Sequence, residues 1–151
     1  MEESVLITKK LDLDMAHALD QYDGKCRFIH GHTFQFSVTL KGYIINEENN
    51  PKNGMVMDFG ELKTILKEEI GDKFDHSLVL KDTSPYRIIS EVSSERINLL
   101  PFQPTCENLL VHFLKMVRSR LPENIELHSA TLQETPSNVV EWQYADSLIL
   151  N

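Results

Sequence analysis

A chain of 151 residues, 41% hydrophobic and 25% charged, is long enough to bury a core and short enough to be a single domain spanning residues 1–151. Its formal charge of -8 argues against a nucleic-acid partner, whose backbone needs clustered Lys and Arg, yet allows an anionic small molecule where a metal or local cations reverse the field. No apolar run approaches the ~20 residues that cross a bilayer, and the acidic Met1–Ser4 lacks a signal peptide's basic start, so the expectation is a cytoplasmic protein without a membrane partner.

Val5, Ile7, Leu11 and Leu13 alternate with polar residues and predict a first strand ending near Met15, with His17 just beyond it. Residues 20–29, with Asp23-Gly24, read as a loop. From His32 a second alternation puts Phe34, Phe36, Val38 and Leu40 on one face and Thr33, Gln35, Ser37 and Thr39 on the other, a half-buried antiparallel strand. The polar stretch 46–53 is a turn or flexible loop. Asp58 opens a helix, with Glu61 completing a capping-box-like pair; Phe59, Leu62, Ile65, Leu66 and Ile70 keep helical spacing, and Gly71 closes it.

Residues 77–104 carry mixed signals and predict loop and short strand. A second helix opens at Thr105, its cap, and runs through Leu110, Phe113, Leu114, Val117 and Leu121 to Pro122. Strands over 126–134 and 139–144 follow, split by the turn Thr135-Pro136-Ser137-Asn138. The order ββααββ indicates an α+β fold, a four-stranded antiparallel sheet with two helices on one face. Its unpaired edges predict a homo-oligomer.

The chemistry gathers around Cys26-Arg27-Phe28-Ile29-His30-Gly31-His32. His30 and His32 are two apart and share a face on extended chain, and His17 lies one loop upstream. Three imidazoles could form a tripod on zinc with one open position, as catalytic zinc sites do. Cys26 and Cys106 are too few for a disulfide framework. Cys26 then has three readings: a thiol beside the metal with its pKa lowered by the ion and by Lys25 or Arg27, a fourth ligand that closes the site, or a small buried apolar side chain.

The ordered blocks Ala16-His17, Asp23-Gly24-Lys25-Cys26, His30-Gly31-His32, Met57-Asp58-Phe59 with Leu62-Lys63, Phe74-Asp75-His76, Pro104-Thr105-Cys106-Glu107-Asn108 and Gln133-Glu134-Thr135 resemble the 6-pyruvoyl-tetrahydropterin synthase family. They run from about Leu11 to Tyr144. The short spacer between Cys26 and His30 is similar to that of the family's bacterial 6-carboxytetrahydropterin synthases of queuosine biosynthesis. The resemblance implies the tunnelling fold, in which subunits join their sheets into a barrel, as a hexamer built from two trimers. It also implies conversion of 7,8-dihydroneopterin triphosphate to 6-carboxy-5,6,7,8-tetrahydropterin with release of acetaldehyde and triphosphate. Two other functions stand beside that one: the 6-pyruvoyl-tetrahydropterin synthase reaction, and a non-catalytic pterin- or zinc-binding oligomer.

By the same resemblance His17, His30 and His32 hold zinc, Cys26 is the catalytic thiol, and Asp75 and His76 complete a proton relay. Adjacent residues on a strand point apart, so Asp75 and His76 are expected to reach the thiol or substrate separately. Glu134 matches the pterin anchor, because one carboxylate accepts the paired N–H groups of a 2-amino-4-oxo ring edge. Thr105 and Glu107 lie near the pterin in the family, a place that is compatible with the helix cap. Cys106 departs from the small hydroxyl residue common there and reads as packing. The triphosphate needs cations, and Lys25 and Arg27 are the first candidates.

Overall fold

The structure, a computed structural model, describes residues 3–147. Two long strands form its spine. β1 (Ser4–His17) pairs antiparallel with β2 (His30–Tyr43) in unbroken register from Ser4 opposite Tyr43 to His17 opposite His30. β1 therefore runs past the expected end at Met15, because Leu13, Met15 and His17 continue its period and are all buried on one face.

Phe34, Phe36, Val38 and Leu40 on β2 are fully buried beneath the helices. Phe113 packs edge-on against Phe36 and Phe74, with ring centroids 5.5 and 5.0 Å apart, which fastens the helical layer to the sheet. The opposite sheet face is polar and laced by Thr8 to Thr39 (2.8 Å) and Gln35 to Asp12 (3.1 Å).

Helix α1 (Phe59–Leu66) starts at Asp58, whose carboxylate accepts the Gly60 N–H at 2.6 Å. Only half of the expected capping box forms: Glu61 turns to Lys52 Nζ at 3.5 Å, and the same ammonium holds Asp58 at 2.6 Å. Nor does Gly71 end the helix. Its φ of -55° is ordinary right-handed helix, and the chain continues through a π turn (Lys67–Gly71) into α2 (Asp72–Phe74). The wider turn rotates the register so that Ile70 and Phe74 both reach the core.

The segment read as loop and short strand contains two strands. β3 (Ser77–Lys81) lies parallel to the end of β1, and β4 (Ile97–Leu100) lies parallel to β3. A 3-10 turn (Pro85–Ile88) and α3 (Ile89–Val92) join them. Helix α4 (Cys106–Arg118) is capped by Thr105 Oγ1, which accepts the Asn108 N–H at 3.2 Å; it stops short of Leu121, which still packs against the core. β5 (Glu126–Thr135) and β6 (Asn138–Gln143) form the expected hairpin, and Tyr144 begins α5 (Tyr144–Ser147) instead of ending the strand.

The α+β sheet thus has six strands in the order β4-β3-β1-β2-β5-β6. Four long antiparallel strands were legible from their period. The two short ones pair in parallel, and parallel strands joined by a crossover leave no hairpin signal. Among the described residues no helix is long and apolar enough to cross a membrane.

Candidate active site and metal centre

The core-facing row of β2 reads Phe36, Phe34, His32, His30 toward the end where the loop joins it to β1, so fully buried apolar rings give way to half-buried imidazoles there. His17 sits directly across from His30, and His32 is diagonal to it. The three rings converge, with centroids 4.6 Å (His17–His30), 4.9 Å (His30–His32) and 5.4 Å (His17–His32) apart. Phe34 forms the floor, edge-on to His17 and His32 at 5.6 and 5.5 Å.

Backbone carbonyls set the tautomers of two of these rings. His17 Nδ1 lies 2.8 Å from the Pro104 carbonyl and His30 Nδ1 lies 2.7 Å from the Phe28 carbonyl. A carbonyl only accepts, so each Nδ1 carries the hydrogen and each Nε2 lone pair is left to face its neighbours. One ligand nitrogen from each of His17, His30 and His32 falls within a span of 4.8 Å, and the three side chains could hold a metal ion. The Cys26 sulfur is not part of that group.

The donor set fits an ion. His17 Nε2 is buried without a hydrogen-bond partner. Burial lowers the His17 pKa against the opposing pull of the Pro104 carbonyl and Glu134. The ring is therefore neutral, and its unprotonated nitrogen points at a carboxylate oxygen, Glu134 Oε1, 3.4 Å away. The same oxygen is 3.7 Å from His32 Nε2. A buried nitrogen lone pair that faces a carboxylate oxygen calls for a cation beside it.

A cavity of about 430 Å³ opens beside the cluster, with His17, Cys26, Thr105, Glu107 and Glu134 among its lining. Cys26 is exposed, on a 3-10 turn (Lys25–Arg27), and its carbonyl accepts the Leu19 N–H at 2.9 Å, which closes the loop back on β1. Cys106 is buried at the cavity wall and donates to the Leu132 carbonyl at 3.3 Å. Burial, and then the Glu134 and Glu107 carboxylates, push its thiol up to about 12. Lys25 and Arg27 are not among the residues lining this cavity. The Arg27 guanidinium lies 4.7 Å over the Phe28 ring and lines a separate recess.

Asp75 and His76 lie in a turn, not on a strand that would point them apart, and their side chains meet instead of acting separately. His76 has φ +57°, and this left-handed conformation folds its ring back so that Nδ1 meets Asp75 Oδ2 at 2.9 Å. Asp75 Oδ1 accepts the Asp14 N–H at 2.9 Å, and the His76 N–H donates to the Asp14 carbonyl at 2.7 Å. Partial burial works to raise the Asp75 pKa, but the N–H of Asp14 and the imidazole of His76 outweigh it, and the net shift is downward. His76 lines a second cavity, of about 710 Å³, with Asp14, His32, Thr33 and Arg96. Within one chain His76 and the Cys26 thiol line different cavities, and His32 borders the one with His76.

Sequence reasoning missed the carbonyls of Pro104 and Phe28, the contribution of Asp14, and Gln103, whose side chain grips the loop after His17. Backbone acceptors have no residue signature, and Asp14 and Gln103 are polar residues whose partners are 61 and 83 positions away.

A profile for the family described as 6-pyruvoyl tetrahydropterin synthase matches residues 6–144. The chain is 32% identical over 142 residues to a Haemophilus influenzae protein named 6-carboxy-5,6,7,8-tetrahydropterin synthase, across 91% of this chain and 97% of that one. Its fold is similar to that of the Caenorhabditis elegans 6-pyruvoyl tetrahydropterin synthase, with TM-score 0.65 and 23% identity over 93% of this chain and 96% of the other. It is also similar to a crystal structure of an uncharacterized Wolinella succinogenes protein, with TM-score 0.75 and 19% identity over 94% of this chain and 99% of the other.

Proposed function

The chain belongs to the 6-pyruvoyl tetrahydropterin synthase family, and from that membership we propose that it is a zinc-dependent lyase converting 7,8-dihydroneopterin triphosphate to 6-carboxy-5,6,7,8-tetrahydropterin, with release of acetaldehyde and triphosphate. The observation that carries the proposal is the buried, unpartnered His17 Nε2 at the wall of a cavity that also holds a free thiol and a carboxylate.

His17, His30 and His32 would hold zinc, which supplies a Lewis acid for the hydroxyls and carbonyl of the substrate side chain. Glu134, at the wall shared by the metal cluster and the cavity, accepts the paired N–H groups of the pterin's 2-amino-4-oxo edge. Thr105 and Glu107 flank the ring. Cys26 takes a proton from the side-chain carbon next to the ring as its thiolate. Asp75 holds the His76 Nδ1–H, which leaves Nε2 to move a proton.

Because His76 and the thiol line separate cavities, a homo-oligomer in which neighbouring copies complete each other's site fits this chemistry, and a dimer of trimers is the assembly we propose. Cations for the triphosphate, whether Lys25, Arg27 or groups of a neighbouring copy, would converge there.

The 6-pyruvoyl-tetrahydropterin synthase reaction is the second reading. The short Cys26–His30 spacer and the Haemophilus influenzae relative favour the first. Incubating zinc-loaded protein with dihydroneopterin triphosphate and analysing the pterin by mass spectrometry decides between them. A 6-carboxy product with acetaldehyde supports the proposal, and a retained three-carbon chain supports the alternative. No turnover at all would leave a non-catalytic pterin binder.

A further inference from the structure

The loop that carries Cys26 has little of its own to hold it in place. Its backbone bonds are internal: the Leu19 N–H to the Cys26 carbonyl across the loop, and the Arg27 N–H to the Gly24 carbonyl and the Phe28 N–H to the Lys25 carbonyl within the 3-10 turn. It turns at Gln21, a non-glycine residue at φ +58°, a conformation that persists where the surroundings over-determine it.

The residue just before that bend is gripped from two sides. Gln103 Oε1 accepts the Asp20 N–H at 2.9 Å, and Gln103 Nε2 donates to the Asp20 carbonyl. One side-chain amide thus satisfies both backbone groups of Asp20, as a neighbouring strand would. The Asp20 carboxylate is fixed separately, accepting the Thr83 hydroxyl at 2.7 Å.

Gln103 sits where this grip transmits to the site. The next residue, Pro104, gives its carbonyl to His17, and the next, Thr105, caps α4 and lines the cavity. The Gln103 carbonyl also accepts the Thr105 N–H at 2.9 Å and the Asn108 side-chain amide at 3.0 Å. Those bonds use main-chain oxygen and survive any substitution of the side chain. The segment 103–105 is therefore a rigid reference shared by the metal cluster and the cavity wall, and the Gln103 amide is what ties the thiol's loop to it.

We infer that Gln103 is a positioning residue: its side-chain amide clamps Asp20, fixes the turn at Gln21, and so holds the Cys26 thiol at the mouth of the cavity beside the histidine cluster. This inference rests on the proposed role of Cys26, and it deepens that role.

The test uses Gln103→Ala and Gln103→Glu in the full, zinc-loaded protein. Glutamate still accepts the Asp20 N–H but no longer donates to the Asp20 carbonyl, so it keeps half of the clamp. In Gln103→Ala, amide hydrogen exchange over 18–27 speeds up while that of β2 and α4 is unchanged. Cys26 is alkylated at a different rate, and zinc content stays at the wild-type level. Turnover of dihydroneopterin triphosphate falls by about 10²-fold in kcat, the scale of a small misplacement of a reacting group, with KM little changed. Gln103→Glu lies between the two on every measure and serves alone if the alanine variant does not fold.

Exchange and alkylation at wild-type rates in either variant would overturn the clamp, as would a loosened loop with kcat intact. These two readouts need no substrate. If the wild-type protein shows no turnover, the proposed function fails while the clamp is still decided by them.

Discussion

His17 Nε2 and Glu134 Oε1 face one another at 3.4 Å with no hydrogen between them, because the Pro104 carbonyl has fixed the ring's proton on Nδ1 and burial keeps the ring neutral. A divalent cation held by His17, His30 and His32 would relieve that repulsion, so a chelator is predicted to lower the melting temperature and zinc to restore it. Free zinc at a hundred times its Kd adds about 2.7 kcal/mol of stability by mass action. His17→Ala and His32→Ala each lose this zinc-dependent increment, read by thermal unfolding alongside metal analysis. Equal melting temperatures with and without chelator would refute the centre.

The same contact makes an opposite-signed prediction for Glu134→Gln. An amide can turn its NH₂ toward His17 Nε2 and satisfy the orphaned acceptor, so the metal-free variant is more stable than the metal-free wild type by about 1 kcal/mol. The amide cannot accept both ring N–H groups of a pterin as a charged partner. Pterin binding then weakens by about 10-fold to 100-fold, the worth of a hydrogen bond to a charged group. Calorimetry on the apo protein and titration with a pterin check the two halves independently.

The two cysteines differ in reactivity. Cys106 is buried, donates to Leu132 and has its thiol pushed up to about 12, whereas Cys26 is exposed on a loop. Because the thiolate is the species that reacts, iodoacetamide at mild alkaline pH labels Cys26 in the native protein and spares Cys106 until the chain is denatured. Peptide mapping of the labelled protein reads the outcome, and labelling of native Cys106 at a comparable rate would contradict the burial.

Much of this arrangement was legible because it is periodic or local. The alternation of Phe34, Phe36, Val38 and Leu40 fixed β2 and, carried backward by two steps each, put His32 and His30 on the core face. Thr105 read as a cap and is one. The illegible parts depend on partners remote in sequence. Gly71 has the composition of a helix stop, but burying Ile70 and Phe74 together favours a π turn that carries the chain through it. Glu61 has the spacing of a capping box, but Lys52 offers a full charge instead. Residues 77–81 became a strand because the free edge of β1 accepts them in parallel, and residues 97–100 because β3 then offers its own free edge in the same way.

The turn at Asp75-His76 was illegible for the same reason, and it separates two roles of His76 that one substitution would confuse. At φ +57° the backbone favours Asn over Ala, so His76→Asn removes the imidazole while keeping the turn. It is predicted to fold with wild-type stability and lose about 10²-fold or more in kcat, the scale of a general acid–base group. His76→Ala should lose stability as well. Asp75 gives the matching pH test. Its folded pKa is depressed, so the native protein prefers the carboxylate. The stability this contributes is present in full above the unfolded value of 3.8 and is lost as pH falls through the lower folded value. Asp75→Asn removes that dependence, so wild type and variant differ most at neutral pH and converge in acid. Denaturant unfolding across that range checks it. A gap that widens toward low pH would mean that the Asp14 N–H and the His76 ring do not hold Asp75 as a carboxylate.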